Sequence, residues 1–208
     1  MTRTRVKVCG ITTPGDAEYA VAAGADAIGM VFYSKSPRHL SISAAREITA
    51  AMPPFTSTVG LFVNCSYQDV STVLADVPLD MLQFHGDEDE SLCSSFNRPY
   101  IKAVRVKPET DLIQVCSQYS SARGLLLDSY KKGTPGGTGE TFDWNRIPEN
   151  LPLPIVLAGG LDANNVTKAV SIVQPWAVDV SSGVEISPGK KDRQKIEQFI
   201  QAVESLRQ

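Results

Sequence analysis

Eight short apolar runs alternate with helix-like segments from one end of this chain to the other, and no other feature restricts the fold as tightly. The runs cover residues 5–9, 27–32, 58–63, 81–84, 100–104, 124–128, 154–158 and 177–180. Strands that alternate with helices imply a parallel sheet, and eight such units are the number that closes a barrel. The chain has 208 residues, so each unit averages about 26, which leaves room for short loops only. That length sits near the lower bound of about 200 residues for this architecture. No Pro/Ser-rich linker interrupts the series. The expected fold is α/β, a single (β/α)8 TIM barrel spanning residues 1–208 as one domain.

Local signals agree with that plan. Val6 and Val8 alternate with Arg5, Lys7 and Cys9, a strand period that Gly10 ends. Thr13-Pro14-Gly15-Asp16 then supplies a capping hydroxyl, a proline suited to a first helical position and a first-turn carboxylate. Gly24 stops that helix, and residues 43–51 read as the next one. Ser66 caps a third with Asp69 three residues on, and Val70, Val73, Leu74 and Val77 form its apolar stripe. An acidic run, Asp87 to Glu90, suits the positive end of a fourth helix. Another helix is expected near 110–119. Asp162 is placed to cap one striped by Val166, Ala169, Val170 and Val173, and Ile196, Phe199, Ile200, Val203 and Leu206 stripe the last. The continuous leucines 125–127 argue for a strand buried on both faces.

Composition excludes several classes of function. A formal charge of −3, with no basic face or run, argues against nucleic acid and membrane surfaces as partners. It leaves an anionic small molecule open, because backbone dipoles hold phosphate without net charge. No apolar run reaches membrane-spanning length, and the N-terminus lacks the apolar core of a signal peptide. Cys9, Cys65, Cys93 and Cys116 are widely spaced, so a reducing, cytoplasmic compartment is expected rather than a disulfide framework or zinc site. Two histidines, His39 and His85, do not suggest a metal centre, and no metal is expected. With no exposed apolar stripe legible, a monomer is the expectation and a homodimer the alternative.

A barrel of this kind carries its site at the carboxyl ends of the strands. Cys9 closes the first strand, and Ser36-Pro37-Arg38 follows the second. Gln83 and His85 stand at the end of the fourth, and Asp128 ends the sixth. Gly159-Gly160-Leu161 follows the seventh and Ser181-Ser182-Gly183-Val184-Glu185 the eighth. Glycines there let successive N–H groups approach a ligand, and the last two loops are the frequent phosphate position in this fold. Pro135-Gly136-Gly137-Thr138-Gly139 is a third Gly-rich loop, readable as a lid over the phosphate or as plain surface loop.

Each residue also has a bland reading. Cys9 serves equally as a small buried hydrophobe, Arg38 as a surface cation, His85 as a hydrogen-bonded scaffold histidine and the glycine pairs as tight turns. The constellation argues otherwise. Strands eight, one and two are neighbours, while one and six lie nearly opposite, so a phosphate at strands seven and eight would set its adjoining carbons beside Cys9. Asp128 would face that thiol across the mouth, an acid–base pair able to move a proton through a phosphosugar. Apolar surroundings are expected around Asp128, and oriented amides near Cys9.

Taken in order, Lys7-Val8-Cys9-Gly10-Ile11-Thr12, Ser36-Pro37-Arg38, Gln83-Phe84-His85-Gly86, Gly136-Gly137-Thr138-Gly139, Ala158-Gly159-Gly160-Leu161 and Asp179 through Glu185 resemble the phosphoribosylanthranilate isomerase family. The likeness covers nearly the whole chain. Phe84 stands where the family usually has leucine, a packing change. The resemblance implies an Amadori rearrangement of N-(5-phosphoribosyl)anthranilate in tryptophan biosynthesis, without cofactor or metal. It implies Cys9 as general base, Asp128 as general acid and Arg38 on the anthranilate carboxylate. Phosphate binding falls to the loops of strands seven and eight, with Gly137, Gly159, Gly160, Asp179, Ser181, Ser182 and Gly183 as substrate-binding positions.

Two rivals remain. Another phosphosugar barrel would pair two aspartates or place a catalytic lysine and glutamate at inner strand ends, and neither set is evident. A non-catalytic phosphate-binding barrel would keep the glycines but gain nothing from Cys9 and Asp128.

Overall fold

A computed structural model describes residues 3–129 and 142–206. Eight strands pair in chain order into a closed barrel: β1 (Arg5–Cys9), β2 (Ala27–Val31), β3 (Ser57–Phe62), β4 (Met81–Phe84), β5 (Tyr100–Val106), β6 (Leu125–Ser129), β7 (Ile155–Leu157) and β8 (Ala177–Val180). Every pairing in the barrel is parallel, and β1 closes it between β2 and β8. The helices are α1 (Pro14–Ala22), α2 (Ile42–Ala50), α3 (Tyr67–Asp76), α4 (Glu90–Ser94), α5 (Leu112–Gln118), α6 (Val166–Val173) and α7 (Arg193–Glu204).

The strand period of two divides the apolar residues into two layers. Val6, Val8, Ile28, Met30 and Leu82 pack outward against helix residues such as Ile196, Phe199 and Ile200. Ile101, Ala103, Leu126, Val156, Ala158 and Ala177 fill the barrel itself. Leu125, Leu126 and Leu127 are all fully buried, as a strand covered on both sides demands.

Helix starts follow the sequence signals closely. The Thr13 side chain accepts from Asp16 N–H, and Ser66 with Asp69 forms a reciprocal capping box. Asp89 caps α4. Asp162 acts one turn earlier than expected: its carboxylate accepts from Asn164 and Asn165 N–H, while Asn165 is the cap of α6.

Three expectations need correction. The sixth unit carries only a 3-10 turn (Trp144–Arg146) among the described residues, not an α-helix. Pro148, Pro152 and Pro154 crowd that segment and remove backbone donors. The second correction is β5, which runs two residues past the expected end and so brings Arg105 into the sheet. Third, an antiparallel hairpin of β9 (Glu185–Ser187) and β10 (Lys190–Lys191) follows β8 and was not foreseen. The Gly-rich loop of 135–139, including Gly137, lies outside the described residues. No helix among those described is long and apolar enough to cross a membrane.

Candidate active site

The carboxyl ends of the strands surround a cavity of about 570 Å³, a size suited to a small organic ligand. Cys9, Arg38, Gln83, His85 and Asp128 line it together, and Gly159, Gly160, Asp179, Ser181 and Ser182 complete the wall. Gly183 does not line the cavity. A Cβ there would fall 2.0 Å from the Leu161 carbonyl oxygen, so Gly183 lets the loop after β8 lie against the loop after β7.

Cys9 is buried at the end of β1, on the interior face it shares with Lys7. The Lys7 ammonium donates to Asp179 Oδ1 at 2.8 Å, and the two residues are register partners across β1 and β8. Both the thiol and the ammonium crowd over Gly29, where a Cβ would sit 2.7 Å from Sγ and 3.0 Å from Nζ. Burial pushes the Cys9 thiol up, against the pull of Lys7 and Lys191. Burial alone would lower Lys7, but Asp179 and the neighbouring thiol more than offset it and hold the ammonium above its usual range.

The oriented amides expected beside Cys9 are not free to act. The N–H groups of Gly10 and Ile11 both donate to the Gly29 carbonyl, at 2.9 and 3.0 Å. Ammonium groups take their place, Lys7 beside the thiol and Lys191 on the Cys9 carbonyl at 2.6 Å.

Asp128 is the penultimate residue of β6, directly above the barrel-filling Leu126. Its surroundings are apolar below only, because donors hold both oxygens. Ser129 N–H donates to Oδ1 at 2.8 Å, and His85 Nε2 lies 3.0 Å from Oδ2. Gln83 Nε2 lies 2.9 Å from His85 Nδ1. With Nδ1 accepting from that amide, the ring proton sits on Nε2 and is donated to Asp128. His85 thus bridges Gln83 and Asp128, with a contact on each ring nitrogen.

Arg38 is held bidentately by Glu185, Nε to Oε1 at 2.8 Å and Nη2 to Oε2 at 2.6 Å. Lys191 donates to the same carboxylate at 2.9 Å. Burial works against the Glu185 anion, yet Arg38 and Lys191 keep it below the usual carboxylate range. The edge of Arg38 formed by Nη1 and the outer hydrogen of Nη2 stays available to a ligand. Gly10, at φ +75°, makes room for this arginine: a Cβ there would lie 2.5 Å from Arg38 Cδ.

The loop after β7 is shaped by consecutive left-handed glycines, Gly159 at φ 80° and Gly160 at φ 66°. A Cβ on Gly159 would lie 2.3 Å from Ser129 N and 2.8 Å from Asp128 Oδ1, so this glycine seats the carboxyl as well as shaping the loop. Glu185, Lys191, Gly29 and Arg105 belong to the site or its support and were not singled out from the sequence. Alternation along 101, 103 and 105 would have exposed Arg105 had the strand been drawn longer. Among the described residues no cluster of side chains suited to a metal ion occurs.

Fold and mouth together define a class, the (β/α)8 barrels that take a small molecule at the carboxyl ends of their strands. Relatives narrow it. The family model for N-(5'phosphoribosyl)anthranilate (PRA) isomerase matches residues 6–202, and the chain belongs to that family. The N-(5'-phosphoribosyl)anthranilate isomerase of Pseudomonas fluorescens SBW25 is 59% identical over 203 residues, 98% of this chain and 97% of its own. The phosphoribosyl anthranilate isomerase structure from Thermotoga maritima superposes with a TM-score of 0.88 at 42% identity, covering 98% of this chain and 100% of that one. A phosphoribosyl anthranilate isomerase complexed with reduced 1-(o-carboxyphenylamino)-1-deoxyribulose 5-phosphate gives 0.84 at 40% identity, with the same coverage.

Proposed function

We propose that this chain catalyses the Amadori rearrangement of N-(5-phosphoribosyl)anthranilate to 1-(2-carboxyphenylamino)-1-deoxyribulose 5-phosphate in tryptophan biosynthesis. The observation that carries this reading is the opening of Cys9 and Asp128 into one cavity beside the glycine loops after β7 and β8. Membership of the family supports it.

In this reading Asp128 is the general acid. It gives a proton to the ribose ring oxygen as the bond from that oxygen to C1′ breaks, leaving an iminium between C1′ and the anthranilate nitrogen. Cys9, as thiolate, removes the C2′ proton, and the electron pair moves to the nitrogen to give an enolamine. Loss of the C2′ hydroxyl proton and gain of one at C1′ complete the ketone. Electrons stay within one molecule, so the balance needs no oxidant or reductant. His85 on Oδ2 and Ser129 N–H on Oδ1 together fix the orientation of the Asp128 carboxyl toward the sugar. Phosphate is received by Gly159, Gly160, Ser181 and Ser182, with Gly183 in the loop after β8 supporting them, Gly137 is a substrate-binding position of the Gly-rich loop after β6, and Asp179 binds substrate from beneath. Arg38 presents its free edge to the anthranilate carboxylate.

The apolar wall of Cys9, Val31 and Leu61, extended by Tyr33 and Val63, gives the aromatic ring a surface. All eight strands belong to one closed barrel, which supports reading the chain as one domain. The same reading puts the protein in the cytoplasm as a monomer. A homodimer is the alternative, favoured by the full exposure of Phe55 and by a T. maritima relative described as dimeric. Light scattering on the purified protein decides between them.

Loss of phosphoribosylanthranilate fluorescence on adding purified protein tests the function. Cys9→Ala and Asp128→Asn should each slow it by about 10²- to 10⁴-fold, the span of general acid–base catalysis. No loss of fluorescence with wild-type protein at high concentration would overturn the reading.

A further inference from the structure

Four cations packed into or around this barrel come with carboxylates. Lys7 has Asp179 at 2.8 Å, Arg38 and Lys191 share Glu185, and Lys102 has Glu88 at 3.0 Å. Arg105 differs. It lies on β5, where Ile101 and Ala103, two and four residues before it, fill the barrel, so its side chain continues on the interior face and lines the cavity. It is the register partner of Asp128. Its Nε is buried and has no hydrogen-bond partner, and no ion pair among the described residues involves it.

A half-buried guanidinium without an anion loses hydration and receives nothing in return. Its side chain lines the cavity, where an arriving anion would restore the balance. The proposed substrate carries two anionic groups, and the phosphate is already provided for by the loops after β7 and β8. The other is the carboxylate on the aromatic ring. The apolar wall that suits the ring lies on β2 and β3, with Arg38 on one flank and β4 and β5 on the other. We infer that Arg105 is a specificity-determining residue that binds the aryl carboxylate of the substrate from the side opposite Arg38. This rests on the functional reading above.

The division of labour follows from the partners. Arg38 shares its charge with Glu185 and offers a fixed edge, whereas Arg105 has no ion pair among the described residues and comes from the strand that also abuts Asp128. Selection against substrates lacking the carboxylate then arises because Arg105 would stay unpaired in their complexes.

The test measures binding of reduced 1-(o-carboxyphenylamino)-1-deoxyribulose 5-phosphate and of its phenylamino counterpart without the carboxylate, by calorimetry. Arg105→Met should weaken the first about 10- to 100-fold, the range of a hydrogen bond to a charged group, and change the second less than about 2-fold. Arg105→Lys should recover part of the loss, keeping charge without the fork. Turnover should show the same loss in KM more than in kcat. Equal weakening of both ligands would overturn the inference and place Arg105 on the sugar. Unchanged binding of both would overturn it too. Wild-type protein that binds neither ligand and leaves phosphoribosylanthranilate unconverted would bring down the functional reading itself, which distinguishes the two failures.

Discussion

Removing the Lys7 charge is the sharpest test of how the barrel interior is held. The Lys7 and Asp179 side chains are 6% and 8% exposed and 2.8 Å apart, so the pair is largely withdrawn from water. Lys7→Met keeps most of the stem volume but strands the Asp179 carboxylate. Breaking a buried pair from one side costs about 3–5 kcal/mol, more than the pair is worth, because the remaining charge has lost both water and partner. For a chain of this length each kcal/mol moves Tm by about 2–4 °C, so the expected fall is about 6–20 °C. Adding Asp179→Asn removes the stranded charge, and the double variant should regain more than half of that loss. A second effect has its own sign. Lys7 pulls the Cys9 thiol down against burial, so its removal must move the thiol further up. The rate at which iodoacetamide modifies Cys9 should therefore rise at higher pH in Lys7→Met than in wild type. Calorimetry and mass spectrometry read the two effects. A single variant within about 1 kcal/mol of wild type, or a double variant no better than the single, refutes the argument that a stranded charge is what costs.

Gly159→Ala should destabilise by about 1–3 kcal/mol from the left-handed backbone alone and also displace Asp128, seen as a fall in both urea midpoint and turnover; Gly15→Ala in α1, where a Cβ meets nothing within 4 Å, should be neutral or stabilising. Glu185 has a folded pKa below its unfolded one, held there by Arg38 and Lys191 despite burial, so its stabilisation is complete above the unfolded value of about 4.3 and lost as pH falls through the folded value. The Tm gap between wild type and Glu185→Gln should accordingly narrow below pH 4, and a gap constant from pH 7 to 3 would contradict this. Burial pushes Cys65 and Cys93 up to about 12, so native protein at pH 9 should leave both unlabelled by iodoacetamide while denatured protein labels fully; quick labelling of either in native protein would show that the burial is wrongly drawn.

The strands were legible because burial on both faces writes them as uninterrupted apolar runs, and Leu125 to Leu127 is the plainest case. Helix starts at Thr13 and Ser66 were legible because a cap is a local bond between residues three apart. Partner choice is not local. Arg38 finds Glu185 across 147 positions and Lys7 finds Asp179 across 172, contacts that exist only once β1 meets β8. A reading by spacing could place Cys9 and Asp128 at strand ends but could not see that the thiol's neighbours would be ammonium groups. Arg105 was missed for a smaller reason, a strand end drawn at Val104 when pairing with β6 carries β5 to Val106. The β9–β10 hairpin escaped because its strands are three and two residues long, too short to show a period.

Net charge also misleads in an instructive way. The chain carries −3 overall, yet Lys35, Arg38 and Arg105 all line one cavity, with Lys7 and Lys191 buried close beneath its floor. Asp179 and Glu185 are committed to those cations, and Asp128 is engaged by His85. Fixed charges in a cleft with low-dielectric walls act over the cleft, while the acidic groups outside it are screened within about 10 Å at 0.1 M salt. A doubly anionic ligand therefore meets a field set by the wall it enters, not by the sum over the chain. The carboxylates of the interior hold cations in place at the strand ends, and the chemistry at Cys9 and Asp128 is built on top of that framework.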